Sequence, residues 1–400
     1  MHLLLIHQNF PGQFRDLAPA WLHQGHRVTA LGTAPAPKLR PQWEGLTYLQ
    51  YSLNSSELLS AIERGNAVAG ICQEYLAGEK QPDLVLVHSG WGEAQQLRDV
   101  FPSTPLVVFP ELWGTPEALG FGFDQHLEGE SANTDWFTAQ NQLAADAIAA
   151  SDAALVACEA QRRSFPPALQ EQLTVLPEGL ALERYGVDPS ASISVNGRSF
   201  FAGQPLVTLV SRTLEPLRGL RQALLAWPLI AAAHQSAQLI LVGDHGEGYG
   251  QEAPKGCDHL SAGLSEIANE VDLNRIHILG SLEHKHVLRL LQCSACHLAL
   301  SYPYTLSWSV LEAMACEAAL ISNEGSPIAL ELIDGHNGVL VPFNDHQALA
   351  QKVLSLLGDP DRRSQLGKEA RRTIEQHFDM KNSLQSYQTL FESLIQNPLI

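Results

Sequence analysis

The sequence predicts an α/β protein of two doubly wound parallel-sheet domains, and three observations predict it. Short, continuous apolar runs alternate with helix-length segments from one end to the other. The runs are Leu-rich or β-branched, as expected of parallel strands buried on both faces. The rhythm is interrupted once, near the middle, and then restarts. With 400 residues, 45% of them apolar and 17% charged, the chain is long enough for two domains with a sizeable core in each.

In the first half the strand candidates are HLLLIH, RVTALG, LTYLQY, DLVLVH, PLVVFP and AALVAC. Helical patterns at 14–24, 57–78, 91–100 and 135–149 separate them. Strand, helix, strand in repetition gives a parallel sheet, and residues 1–180 are expected as the first domain. The pattern loosens after residue 177, where Gly, Pro, Ser and Asn are spread without periodicity. Residues 181–204 are therefore expected as a linker. PLVTLVS, AQLILVG, RIHILG, CHLALS, AALISN and GVLVPF then continue the rhythm, so 205–378 is expected as the second domain. Residues 360–396 read as helix, with Asp359-Pro360 as a start. Ligands of open parallel sheets bind outside the carboxyl ends of the strands. If both sheets face a common cleft with those ends, the site lies between the domains.

Composition excludes some classes. A net charge of -18 argues against a nucleic-acid partner, which needs a basic stripe. It also disfavours docking on anionic lipid by charge, so membrane contact is expected to be peripheral at most. The start, MHLLLIHQNF, has no basic n-region and too short an apolar run for a signal core. No stretch is long and apolar enough to span a bilayer. A cytoplasmic protein is expected, at most peripheral to the inner membrane face. Six scattered cysteines, at 72, 158, 257, 293, 296 and 316, agree with that. Cys293 to His297 reads CSACH, the form of a haem attachment motif, but it runs from a helix end into an apolar strand. Small buried cysteines beside a core strand are the expectation there.

Three stretches that follow strands carry chemistry. In LVSRTLEPLRGL, Arg212 closes a strand and Arg218 opens a helix. Two guanidiniums near a helix amino terminus suit a diphosphate; two solvated arginines would look the same locally. In SYPYTLSWSVLEAMA, Ser307 and Ser309 can cap a helix whose free N–H groups favour an anion. Glu312, inside that helix, can accept hydrogen bonds from neighbouring hydroxyls, as on a ribose, or complement the helix dipole while Trp308 packs. Gly325-Ser326-Pro327 reads as a turn, a cap and a first helical residue. His284 and His286 of HKH read as solvated histidines. Gly12 reads as a close approach of backbone to ligand and belongs to no Gly-x-Gly-x-x-Gly fingerprint, so a nicotinamide cofactor is not expected.

The ordered series SRTLEPLRG, LVGDHGEGYG, RIHILGSLEHKHVLRLLQ, SYPYTLSWSVLEAMAC and SPIALELIDGHNGVLVPF resembles the carboxyl half of a family 4 glycosyltransferase. HQNFPGQFRDLA, VHSGWGEAQQLRDVFP and the stretch from FPELWG to FGFD resemble a bacterial subgroup of that family. The resemblance implies the GT-B architecture, two Rossmann-like domains facing a cleft, with residues 379–400 as a helix crossing back to the first domain. It implies a retaining, metal-independent transferase that takes a nucleotide sugar as substrate, UDP favoured over GDP, with no tightly bound cofactor. The implied acceptor is a glycan, glycolipid or other hydroxyl compound, in polysaccharide or glycolipid assembly.

Position by position, the resemblance makes Arg212 and Arg218 the pyrophosphate grip, the second usually a lysine. Glu312 is the second glutamate of Glu-x7-Glu and binds the donor ribose. Backbone at Leu306, Ser307, Trp308 and Ser309 receives the distal phosphate, and Leu282 meets the base. Departures are visible too. Tyr304 stands where the first glutamate would be, and a phenol carries no charge near neutrality. Glu317 replaces a glycine that would end the helix in the left-handed conformation. Glu111 stands near the place of an acceptor-side histidine, and His88 is the nearest histidine. A catalytic group of Arg212, Arg218, Glu111 and His88 follows. Two rival expectations are a non-catalytic sugar-nucleotide-binding or partner protein on the same fold, and a UDP-sugar epimerase.

Overall fold

The computed structural model describes residues 1–33, 43–53, 61–78, 81–132, 134–246 and 248–396. The chain divides into two units. The first comprises Met1–Gly114, Asn133–Leu180 and Met380–Ile400. Its strands are β1 (His2–Ile6), β2 (Arg27–Gly32), β3 (Thr47–Gln50), β4 (Leu84–His88), β5 (Leu106–Phe109), β6 (Ala153–Val156) and β7 (Leu173–Val175). They form one parallel sheet in the order β3-β2-β1-β4-β5-β6-β7. The order reverses between β1 and β4, the switch point where such sheets leave a crevice.

The unbroken apolar runs have a simple cause. Successive side chains point to opposite faces. Leu4, Ile6, Val85 and Val87 enter one layer of the core, and Leu3, Leu5, Leu84 and Leu86 enter the other. Helix Met380–Gln396 closes the second layer. Its Tyr387, Phe391 and Leu394 lie on one helical face, and Trp21 packs edge-on to Tyr387 at 5.6 Å. Residues 397–400 lie outside the described residues. β7 was not anticipated. It is three residues long, and Val175 at its end is exposed, so it shows no apolar run. The helix expected at 91–100 is reduced to Leu97–Val100. The helix expected at 57–78 runs Ala61–Leu76, and its positions 57–60 lie outside the described residues.

The second unit comprises Thr115–Ala132 and Ala181–Asp379. Its first strands form a hairpin, β8 (Ser192–Val195) and β9 (Arg198–Phe201). A parallel sheet follows: β10 (Leu206–Thr213), β11 (Gln238–Asp244), β12 (Ile276–Ile278), β13 (Cys296–Ala299), β14 (Leu320–Asn323) and β15 (Val339–Val341), in the order β12-β11-β10-β13-β14-β15. Its reversal falls between β10 and β13.

Two boundaries differ from expectation. Residues 181–204 are not a linker but part of the second unit. Asn196 and Gly197, both at positive φ, make the tight turn of the hairpin, and Ile193 and Phe200 are buried. Residues 115–132 also leave the first unit. Tyr302 donates to Asp124 at 2.7 Å, and Phe123 packs on Phe343 at 5.1 Å. The expected start at Asp359-Pro360 is realised: Asp359 accepts from the Arg362 N–H at 2.9 Å. Cys293 and Cys296 are buried, and His297 lies on β13 with Nδ1 2.9 Å from the Thr208 hydroxyl, so CSACH belongs to the core.

Glu317 sits at φ 59°, the left-handed region expected of a glycine. For a side chain with a Cβ this conformation costs about 1 kcal/mol or more. Glu317→Gly is therefore expected to raise the unfolding free energy by about 0.5–1 kcal/mol in urea titration, the gain reduced by the greater freedom of glycine in the unfolded chain.

Candidate active site

The carboxyl ends of β10 and β13, at the switch point of the second sheet, bring Arg218, Ser307 and Ser309 to one pocket. Arg218 ends a short turn, Pro216–Arg218, and Gly219 follows at φ 74°. A Cβ at Gly219 would lie 2.3 Å from the Leu300 Cβ, so only glycine lets this turn press against the exit of β13. Arg218 Nη1 donates to the Ser301 hydroxyl at 3.1 Å and to the Thr305 carbonyl at 3.0 Å, and Nη2 to the Thr305 hydroxyl at 3.3 Å. The guanidinium is thereby fixed beside a pocket lined by Thr305, Leu306, Ser307, Ser309 and Ser326.

Helix Trp308–Ala315 begins at this pocket with Ser307 as N-cap in extended conformation. The Ser307 hydroxyl does not cap the helix. It pairs with the Ser309 hydroxyl at 2.8 Å, and Ser309 donates to the Val210 carbonyl at 2.9 Å. The capping expected of both serines is thus replaced by a bond that ties the helix start to β10. The Ser307 side chain offers the first-turn N–H groups no acceptor, while its carbonyl accepts from the Val310 N–H at 3.2 Å. A helix start with its positive dipole end, beside a fixed guanidinium, is a place for an anion.

Glu312 lies on the same helix and is almost fully buried. Its Oε1 is 2.8 Å from His284 Nε2 and accepts from the Tyr185 hydroxyl at 3.4 Å. His284 was expected as a solvated histidine; it is the carboxylate's partner instead. Leu282 is two residues before His284, in the turn that follows β12, and is partly buried.

Arg212 does not line the pocket. It lies at the exposed end of β10 and donates to the Tyr249 hydroxyl, its guanidinium carbon 5.2 Å from that ring's centroid. Tyr249 and Tyr304 stand 6.1 Å apart, and Arg218 lies 5.6 Å from the centre of the Tyr304 ring. The two arginines are thus connected through two tyrosines. Trp308 is partly buried at the first helical position.

The first unit has its own polar cluster at the switch point of its sheet. His7 follows β1, His88 ends β4 and Glu111 follows β5. His88 Nε2 is 3.1 Å from Glu111 Oε2, and the His7 and His88 rings are 4.7 Å apart. Glu111 is held at φ 64°. Gly12 makes a close approach to the His7 ring: a Cβ there would lie 2.3 Å from Nε2. Burial works to lower the His88 pKa, but the hydrogen bond and charge of Glu111, with Glu93 and Glu178, outweigh it and leave the group above its ordinary value. Burial, with the charge of His88, pushes His7 well down. His88 Nδ1, the Ser89 hydroxyl and Glu93 Oε2 are buried with no hydrogen-bond partner among the described residues.

Glu178 is pushed up to about 7 from 4.5, mainly by burial and then by the charge of Glu111. The folded chain therefore keeps a proton there that the unfolded chain loses. That contribution to stability is full below pH 4.5 and is lost as pH rises through about 7. His88 acts with the same sign around its own titration. Urea unfolding is expected to show a fall on the order of 3 kcal/mol from this group between pH 4.5 and 7.5, and Glu178→Gln, which cannot titrate, should flatten it.

Sequence reasoning misread His284 and missed Tyr185, Tyr249 and Glu215 in the second unit, and His7 and Glu178 in the first. His7 and Glu178 share one signal, a titratable residue within a few positions of a strand's carboxyl end. No local pattern announced the pairing of His284 with Glu312, which are 28 residues apart.

Two family models match the chain: the glycosyl transferase family 4 group over residues 24–185, and glycosyl transferases group 1 over residues 196–373. An uncharacterized glycosyltransferase of Methanocaldococcus jannaschii is 26% identical over 149 residues, 37% of this chain and 36% of that protein. Trehalose synthase of Thermococcus litoralis is 26% identical over 212 residues, 53% of this chain and 47% of that protein. The matched segments thus span about half or less of these curated relatives. Among solved structures, sucrose-phosphate synthase from Thermosynechococcus elongatus has a TM-score of 0.76 at 16% identity, covering 99% of both chains. Anabaena HepE in complex with UDP-glucose has a TM-score of 0.71 at 16% identity, covering 98% of this chain and 100% of that one. Likeness at such identity shows the fold, the GT-B architecture with its two parallel-sheet α/β domains.

Proposed function

We propose, from the premise that the chain belongs to glycosyltransferase family 4 and has the GT-B fold, that it moves a sugar from a nucleotide-sugar donor to an acceptor hydroxyl with retention of configuration. The observation that carries the donor reading is Arg218, fixed by Ser301 and Thr305 beside the start of helix Trp308–Ala315. In this reading the donor diphosphate takes the guanidinium and the helix N–H groups, and Glu312 takes the ribose. Leu282 offers main-chain groups to the base. Neighbours of the same fold bind UDP or UDP-glucose, which supports UDP as the base carrier.

The reaction is a front-face substitution. The bond from the anomeric carbon to the phosphate oxygen breaks, and the acceptor oxygen bonds the same face. A phosphate oxygen takes the acceptor proton. Arg218, Arg212 and the helix dipole stabilise the charge that grows on the leaving diphosphate, so no metal is invoked. His88 and Glu111 in the first unit supply hydrogen-bonding groups for the acceptor, a glycan, glycolipid or other hydroxyl compound. The work is assigned to the cytoplasm or the inner face of the membrane; among the described residues no helix is long and apolar enough to cross one.

Tyr304 favours a second reading, a binding or partner protein without turnover, because the phenol supplies no carboxylate where the family has one. Incubation with a panel of UDP-, GDP- and ADP-sugars and varied acceptors separates the two. Sugar transfer supports the first; nucleotide binding with no transfer to any acceptor would favour the second. Epimerised donor in the absence of acceptor would mark an epimerase.

A further inference from the structure

We propose that Tyr249 and Tyr304 are positioning residues that hold Arg212 and Arg218 together as one clamp, with Glu215 fixing the loop that carries Tyr249. The proposal rests on the donor reading above and adds to it a part that the arginines alone do not explain. Arg212 is exposed at the end of its strand, where a long side chain samples many rotamers. Tyr249 restrains it by accepting its hydrogen bond, which leaves the guanidinium carbon 5.2 Å from the ring's centre. The Tyr304 ring stands next, 6.1 Å from Tyr249 at 32°, and the Arg218 guanidinium lies 5.6 Å from its centre.

Tyr249 is 41% exposed, so packing does not hold it. Glu215 does. Its carboxylate, almost fully buried, accepts from the Gly250 N–H at 2.8 Å and the Tyr249 N–H at 3.3 Å. A Cβ at Gly248 would lie 2.2 Å from Glu215 Oε2, so the loop is drawn tightly round that group. Glu215 is also the residue that precedes the Pro216–Arg218 turn. One residue therefore anchors both arms of the clamp, its carboxylate holding the Tyr249 loop and its carbonyl accepting from the Arg218 N–H at 3.1 Å. An aromatic side chain beside each cation lets two like charges stay near each other: the Tyr249 hydroxyl accepts from Arg212, and the Tyr304 ring lies beside Arg218. A clamp ordered beforehand loses less side-chain freedom when a diphosphate arrives.

The test is titration calorimetry with UDP, GDP and ADP on the full chain and its variants, with thermal unfolding to confirm that each variant is folded. Tyr249→Ala is expected to weaken nucleoside diphosphate binding about tenfold. Tyr249→Phe, which keeps the ring, should lose about threefold, and serves if the alanine variant does not fold. The decisive comparison repeats Tyr249→Ala in an Arg212→Ala background, where it should have no further effect, because Tyr249 acts through Arg212. Wild-type affinity in Tyr249→Ala would overturn the proposal, and so would an undiminished tenfold loss in the Arg212→Ala background. Those outcomes leave the donor reading standing. Failure of the unmodified chain to bind any of the three nucleotides would overturn both.

Discussion

Arg218→Ala is expected to lower kcat/KM for sugar transfer by about 10³-fold while the chain stays folded. The size follows from the geometry. Arg218 enters the site already bonded to Ser301 and Thr305, so its charge needs no reorganisation as the phosphate leaves. Removing it deletes the cation that meets developing negative charge and unties Thr305 from the turn that leads to the helix. The side chain is only partly buried, and the hydroxyls it leaves behind can take water. The melting temperature should therefore shift by only a few degrees. Arg218→Lys keeps the charge but not the fork, and should recover a large part of the rate. Steady-state kinetics with the best donor of the panel, beside circular dichroism, measures all three. Turnover of the alanine variant within tenfold of the parent would remove Arg218 from the phosphate clamp.

Glu312→Gln is expected to weaken donor binding by about 10–100-fold, through loss of charge-assisted bonds to the ribose. The carboxylate is buried and held between His284 and Tyr185, so it is set in place before any donor arrives. A simple loss of affinity would not distinguish a ribose contact from a structural role; the 2′-deoxy donor does. The parent should discriminate against the 2′-deoxynucleotide, whereas the glutamine variant should bind both with similar affinity. If the discrimination persists in the variant, Glu312 does not touch the 2′-hydroxyl and serves the helix and His284 instead.

Most of the fold was legible because the parallel strands are buried on both faces. Leu3 to Ile6 supply both core layers of the first unit, so a continuous apolar run is the only pattern the sheet allows. β7 escaped because three residues at a sheet edge need no such run. The hairpin at 192–201 escaped because its Gly, Asn and Ser were read as breakers. Asn196-Gly197 is a turn signal in its own right, and the flanking Ile193 and Phe200 bury themselves on the second unit. Residues 115–132 could not have been assigned from sequence, since their unit is decided by contacts as remote as Tyr302 to Asp124, 178 residues apart.

The site divides in the same way. Arg218, Ser307, Ser309 and Glu312 stood out because they lie where a strand passes into a helix, and chain direction alone puts such residues at the carboxyl end of the sheet. What each of them bonds to was not legible. Ser307 was expected to cap its helix, and its hydroxyl pairs with Ser309. The His284 to Glu312 contact depends on the height of two helices above the sheet, which apolar periodicity does not encode. Tyr249 lies in a Gly-rich loop whose path is set by one buried carboxylate, Glu215.

A crystal structure of the chain grown with UDP and the matching nucleotide sugar would locate the donor outright. The diphosphate should lie within hydrogen-bond reach of the Arg218 guanidinium and the N–H groups at the start of helix Trp308–Ala315, with a ribose hydroxyl on Glu312. Nucleotide density anywhere else on the chain, with that pocket holding only water at saturating ligand, would contradict the account.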